Sequence, residues 1–157
     1  MKLKKTDKTE RGQSMTELAI SLVFLLILLA GVIDLGRAFF AYMAMRDAAQ
    51  EGAAYGAIAG GDLLEAISCA DIDARVRNTS STPVDLQSSD IQVDILLGVN
   101  SCSVATLANA CLGDEIKITV SNNVFPITMP FLGTLIGSQT VAISASVIDT
   151  VLMPGCD

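Results

Sequence analysis

The hydrophobic pattern divides the first third of the chain into a polar head and a long apolar helix. Residues 1–12 are polar and basic, and residues 18–33 then form a run of sixteen residues without a charged side chain. As an α-helix this run spans about 24 Å at ~1.5 Å per residue, slightly short of a ~30 Å hydrocarbon layer. The flanking apolar residues extend it, so we predict one helix over residues 13–60, with a membrane-spanning segment at about residues 15–35.

Small residues dominate the second half of this predicted helix. One row recurs every four residues: Ala44, Ala48, Gly52, Gly56 and Gly60. A neighbouring row consists of Ala49, Ala53 and Ala57. Such rows let another helix approach closely, so we predict packing on other subunits, with packing on the chain's own C-terminal domain as the alternative. Both kinds of packing can occur together if they use different faces of the helix. The Gly60-Gly61 pair is expected to end the helix.

The remainder of the chain predicts a small α+β domain over residues 61–157. A second helix is expected from Asp62, as N-cap, to about Asn78. Three stretches alternate apolar and polar residues, as half-buried antiparallel strands do: residues 91–95, 116–121 and 141–147. The apolar segment FPITMPFLGTLIG, residues 125–137, contains two prolines, and we expect it to cover a sheet edge or to form an exposed patch.

Charge is distributed unevenly between the head and the body. The net charge is −7, but residues 1–12 carry half of the ten basic side chains. Without these residues, five basic and fifteen acidic side chains remain, which makes −10. The positive-inside rule therefore predicts a single-pass protein of the cytoplasmic membrane, with its N-terminus in the cytoplasm and residues 61–157 outside. The acidic body also argues against nucleic acid as a partner.

Residue types and motifs argue against catalysis. The chain has no histidine, the commonest general base and metal ligand. It contains no phosphate-binding loop, dinucleotide fingerprint, nucleophile elbow or zinc-protease motif. We therefore expect a protein that is not an enzyme and that uses no cofactor, metal or small-molecule substrate.

Four cysteines follow the apolar run, at positions 69, 102, 111 and 156. Outside a membrane they are expected to form two disulfides; free buried thiols are the alternative, and zinc is disfavoured because no pair has the C-x-x-C spacing. Cys102 and Cys111 enclose a short loop between two predicted strands. Of the three possible pairings we therefore favour Cys102–Cys111 together with Cys69–Cys156, with the other two open.

The border between the head and the apolar run carries the most specific motif. Glu17 lies at the edge of the run, where a carboxylate is costly unless it is neutralised. A cleaved secretory signal peptide fits poorly, because no A-x-A site follows the run closely. The stretch RGQSMTELAI resembles a type IV prepilin. That resemblance implies cleavage after Gly12 by a prepilin peptidase, which makes Gln13 the first residue of the mature chain and Glu17 the fifth; many type IV pilins carry Phe where this chain has Gln13.

The residues after this stretch resemble one particular family of pilin-like proteins. Together with GVIDLGRAFFAYMAMRDAAQEGAAYGA, the motif is similar to the TadE-like minor pseudopilins of tight-adherence pili, although Gln50 replaces a usual arginine. This resemblance covers residues 11–57 and implies a pilin-like fold and a structural subunit of a type IV-like pilus. Its partners would be the membrane, the prepilin peptidase and other pilin subunits, which contact its N-terminal helix. We further expect Glu17 to pair with the α-amino group of a neighbour's Gln13.

Two alternatives to this function stay open. The chain could be a major pilin that forms the filament, which its abundance in sheared filaments would reveal. It could instead be a single-pass anchor that presents an extracytoplasmic binding domain, in which case no processing after Gly12 would occur.

Overall fold

The computed structural model describes residues 9–58, 67–103, 110–129, 133–134 and 137–152. Helix α1, Thr9–Ala57, is one continuous α-helix of 49 residues. From Gly12 onwards it is long and apolar enough to cross a membrane, with a mean hydropathy of 2.8 in its most apolar window. The predicted N-terminal helix is therefore present, although it begins at Thr9 instead of residue 13 and ends at Ala57 instead of residue 60. Gly60-Gly61, expected to end it, lies outside the described residues.

The second helix, α2, is shorter than expected and spans Cys69–Arg77. Its N-cap is Ser68, whose hydroxyl accepts a hydrogen bond from the amide of Asp71, while the Asp71 carboxylate accepts one from the Ser68 amide. This reciprocal pair satisfies two amides that the helix leaves without partners. The predicted start at Asp62 lies outside the described residues, and the predicted end at Asn78 is confirmed as the C-cap. Ser68 was missed because Asp62 offered the same capping signal earlier in the sequence.

In the described part of the chain, four antiparallel strands form one sheet in the order β2-β1-β3-β4. Their bounds are β1 Ile91–Leu97, β2 Asn100–Ser101, β3 Glu115–Pro126 and β4 Thr140–Thr150. The three predicted strands are confirmed as the cores of β1, β3 and β4, and the fold is α+β, as expected. Strand β2 was missed, because two residues cannot display an alternating pattern.

The core lies between the C-terminal half of α1 and one face of the sheet. Ile116, Ile118 and Val120 alternate along β3 and are fully buried, while the residues between them are half-buried. Met45 of α1 and Ile72 of α2 are also fully buried in this cluster. Burial of this face joins the helix and the sheet into one unit, because apolar area removed from water stabilises the fold.

The apolar segment after β3 returns to α1. Strand β3 ends at Pro126, and the Ile127 amide then donates a hydrogen bond to the Gln139 carbonyl, which brings the chain into β4. Between these points, Thr128 and Met129 contact α1 at Asp34. The start of this segment therefore fastens the sheet to the helix, a contact that the sequence did not predict.

Candidate membrane and assembly helix

The N-terminal half of α1 is largely uncovered by the folded domain, which approaches it only near Gly31, where an added Cβ would lie 3.6 Å from Met129 Sδ among the described residues. Of the most apolar window only 6% is buried, and the large apolar side chains from Met15 to Leu35 that the structure describes are mostly more than half exposed. Water does not cover such a surface at low cost, because each exposed leucine forgoes roughly 1.5–3 kcal/mol of burial. This half fits a single-pass membrane helix.

Gly12, Gln13 and Glu17 all lie on this free part of α1. A Cβ atom added at Gly12 would meet nothing within 4 Å. The Thr16 hydroxyl donates a 2.8 Å hydrogen bond to the Gln13 carbonyl, and Glu17 is exposed. Among the residues that the structure describes, none packs against these three predicted site residues from elsewhere in the fold.

Asp34 marks the point at which α1 meets the domain. Its side chain is only 7% exposed, and both carboxylate oxygens are hydrogen-bonded. One oxygen accepts from the Thr128 hydroxyl and, at 3.2 Å, from Arg37; the other accepts from the Met129 amide. Three donors thus compensate for the removal of this charge from water.

Beyond Asp34, the small residues of α1 allow the sheet to approach the helix. A Cβ atom at Gly52 would lie 2.3 Å from Val76 Cγ2 and 2.9 Å from Ile118 Cδ1. A Cβ atom at Gly56 would lie 2.3 Å from Ile116 Cδ1. Real Cβ atoms do not approach other atoms so closely, so these glycines are required by the domain's own packing.

The prediction that the small-residue row packs on other subunits is therefore corrected. Ala48, Gly52 and Gly56 are buried within the chain, as are Ala49, Ala53 and Ala57 of the neighbouring row. Residues covered in this way cannot contact another subunit, so the alternative of packing on the chain's own domain applies to them. Ala44 is half-buried, and Gly60 lies outside the described residues. The spacing predicted a close approach correctly, but spacing does not reveal which partner approaches.

The favoured cysteine pairing is also wrong. Cys69, the first residue of α2, is bonded to Cys102, which follows β2, with their Cα atoms 5.9 Å apart. Cys111 is disulfide-bonded as well, and Cys156 lies outside the described residues. The error came from treating Cys102 and Cys111 as the ends of a local loop. The Cys102 amide instead donates to the Ile95 carbonyl in the sheet, which holds Cys102 beside α2.

Among the described residues, no group of three or more His, Cys, Asp or Glu side chains is placed to hold a metal ion. Ion pairs elsewhere are structural: the Arg75 guanidinium on α2 binds Glu51 on α1 and lies over the Tyr55 ring. These contacts fasten α2 to the C-terminal half of α1. The uncovered apolar surface lies in the N-terminal half of the same helix.

Residues 12–54 match the TadE-like protein family. The match begins at Gly12 and includes both halves of α1 and the Asp34 junction, so the predicted resemblance is confirmed over these residues. It favours a structural, pilus-associated and pilin-like protein over an enzyme. No curated protein and no solved structure matches the chain.

Proposed function

We propose that this protein is a membrane-anchored pseudopilin, or minor pilin, of a tight-adherence type IV-like pilus. The observation that carries the proposal is the division of α1 within the TadE-like match: the half that holds Gly12 and Glu17 is apolar and uncovered, and the other half is the spine of a folded domain. An uncovered apolar helix suits a protein that exchanges lipid neighbours for the helices of other subunits. The sheet and α2 remain outside the membrane in this proposal.

Processing is proposed to occur after Gly12 on the cytoplasmic side, by a prepilin peptidase. Gly12 has no packing role among the described residues, since none of them lies within 4 Å of a Cβ added there. A glycine also destabilises a helix by roughly 1 kcal/mol relative to alanine. Local unfolding of the helix at Gly12 is therefore easier, and a peptidase needs such unfolding to reach the peptide bond. A requirement for glycine at this position would therefore come from the enzyme.

Replacement of Gly12 tests this step. Gly12→Val should leave residues 1–12 attached in membranes that contain the native peptidase, as measured by intact mass. Gly36→Val is the matched control on the same helix, because a Cβ there also meets nothing within 4 Å; it should be processed normally. Normal processing of Gly12→Val would contradict the proposed cleavage.

Assembly is proposed to use Glu17. Its carboxylate would pair with the α-amino group that cleavage creates on a neighbour's Gln13, because two opposite charges leave water together at lower cost than either alone. An attached leader would prevent this contact, so cleavage would precede assembly.

Glu17→Ala should insert and be processed, yet be incorporated into pili poorly. Glu51→Ala is the control, since Glu51 lies on the same helix but binds Arg75 within the chain. The amounts of each variant in sheared pili and in membranes are compared by immunoblot. Equal incorporation of Glu17→Ala and wild type would contradict the proposed role.

A further inference from the structure

An open groove lies beside α1 just above the Asp34 junction. It has a volume of about 400 Å³ and is lined by Arg37, Phe40, Thr82, Pro83 and Phe125. Arg37 carries the only charge among these residues, and Phe40 is 63% exposed. The groove thus combines a cation with apolar walls.

The Arg37 guanidinium is held in place on two sides. Its Nη1 donates to the inward-facing Asp34 carboxylate, and its Cζ lies 5.6 Å from the centre of the Phe125 ring. Within the part of the chain that the structure describes, Nε and Nη2 have no hydrogen-bond acceptor. A side chain that is 42% exposed and has two N–H-bearing nitrogens to spare can bind an anion in a forked geometry.

The height of Arg37 along α1 indicates which anion it meets. Arg37 follows Leu18, the start of the uncharged run, by nineteen residues, or about 28 Å along a helix axis. The hydrocarbon core is about 30 Å thick. With Leu18 at the cytoplasmic boundary, Arg37 reaches the outer headgroup layer, where phosphate is the abundant anion.

We propose that this groove binds the headgroup phosphate of a membrane phospholipid, through Nε and Nη2 of Arg37. Phe40 and Pro83 then contact the glycerol backbone and the upper acyl chain. This inference rests on the proposed membrane anchoring. It adds a lipid site that fixes the depth and rotation of α1, and so the orientation of the domain on the membrane before assembly.

The test uses the arginine side-chain resonances of the full chain, labelled with ¹⁵N, in phosphate-free maltoside micelles. Dioctanoyl phosphatidylglycerol is titrated in. The Arg37 Nε–H signal, assigned from its loss in Arg37→Lys, should shift and saturate. Arg46 is the internal control, because it is exposed on the same helix but lies about 13 Å farther from the membrane.

Two further ligands separate a lipid site from an anion site. Dioctanoylglycerol has the same chains without phosphate, and inorganic phosphate has the anion without chains; neither should saturate the Arg37 signal at the lipid's concentration. Saturation by either would overturn the proposal. Equal responses of Arg37 and Arg46 to the phospholipid would overturn it too.

Variants give the size of the effect. Arg37→Gln should weaken phospholipid binding about tenfold, because a charge-assisted hydrogen bond is lost. Binding to this variant is measured from the shift of the Phe40 amide signal. Arg46→Gln should leave the affinity unchanged. If Arg37→Gln unfolds, the titration of the wild-type Arg37 Nε–H signal decides by itself whether the phospholipid binds at this groove. A chain that does not enter micelles would contradict the membrane anchor and this site together, whereas a chain that enters but shows no Arg37 response contradicts only the site.

Discussion

The two halves of α1 belong to one uninterrupted helix and have opposite surroundings. Before Asp34, leucine, isoleucine and phenylalanine side chains point outwards without cover, whereas after it alanine, glycine and Met45 are buried against the sheet. The large side chains of the first half are mostly uncovered, whereas the face of the second half that packs on the sheet consists mainly of small residues. In this helix most large apolar residues are therefore left uncovered, and most of the residues that pack against the sheet are small.

The disulfide should have the largest effect on the domain half. Cys69 and Cys102 are 33 residues apart, and in the chain-entropy model a bond that closes such a loop contributes about 3–4 kcal/mol. Cys69→Ser should lower the free energy of unfolding by roughly this amount and leave membrane insertion unchanged. Non-reducing peptide mapping should find Cys69 linked to Cys102, and Cys111 linked to the remaining cysteine, Cys156; a Cys102–Cys111 peptide would contradict this arrangement.

Truncation of one apolar side chain in each half gives a direct comparison. Met45 is fully buried and Leu26 is 54% exposed. Met45→Ala should destabilise the domain by about 2–4 kcal/mol through loss of burial and the cavity that it leaves. Leu26→Ala should leave the melting temperature of the domain unchanged. Comparable losses from both, measured by thermal unfolding in micelles, would show that the first half of α1 packs on the domain.

The glycines provide a second pair, with a smaller expected effect. Gly52→Ala places a Cβ 2.3 Å from Val76 Cγ2 and should cost about 1–3 kcal/mol. Gly36→Ala meets nothing within 4 Å and should be neutral, or stabilising by up to about 1 kcal/mol, because alanine favours the helix. Urea unfolding of both variants measures the difference. A neutral Gly52→Ala would mean that the sheet lies farther from α1.

The smallest expected effect depends on pH and lies at the start of α2. Hydrogen bonds from the Ser68 hydroxyl and amide lower the pKa of the Asp71 carboxyl. A lowered pKa contributes stability above the pKa that Asp71 has in the unfolded chain, and that stability is lost as the pH falls through its folded-state pKa. The difference in unfolding free energy between wild type and Asp71→Asn should therefore shrink as the pH falls from 7 towards 3. A difference that is constant with pH would rule out ionisation as its source.

The sequence predicted the features that repeat with a regular period. The charge-free run located the apolar half of α1 that is mostly uncovered, and period-two alternation located β1, β3 and β4, because burial of one face selects such patterns. The contacts made by single residues were not visible. In the sequence, Asp34 is visible only as part of the motif GVIDLGR, since nothing in the sequence connects it with Thr128, 94 residues later. The Cys69–Cys102 bond likewise depends on the placement of α2 against the sheet, which no local spacing encodes.

The first residue of the mature chain is the most direct test of processing and assembly. We propose that the uncovered half of α1 is released from a cytoplasmic leader and becomes an assembly helix. Mass spectrometry of the protein recovered from native membranes and from sheared pili measures its first residue. We expect a chain that begins at Gln13 in both fractions, whereas assembled protein that still begins at Met1 or Lys2 would contradict the proposed release.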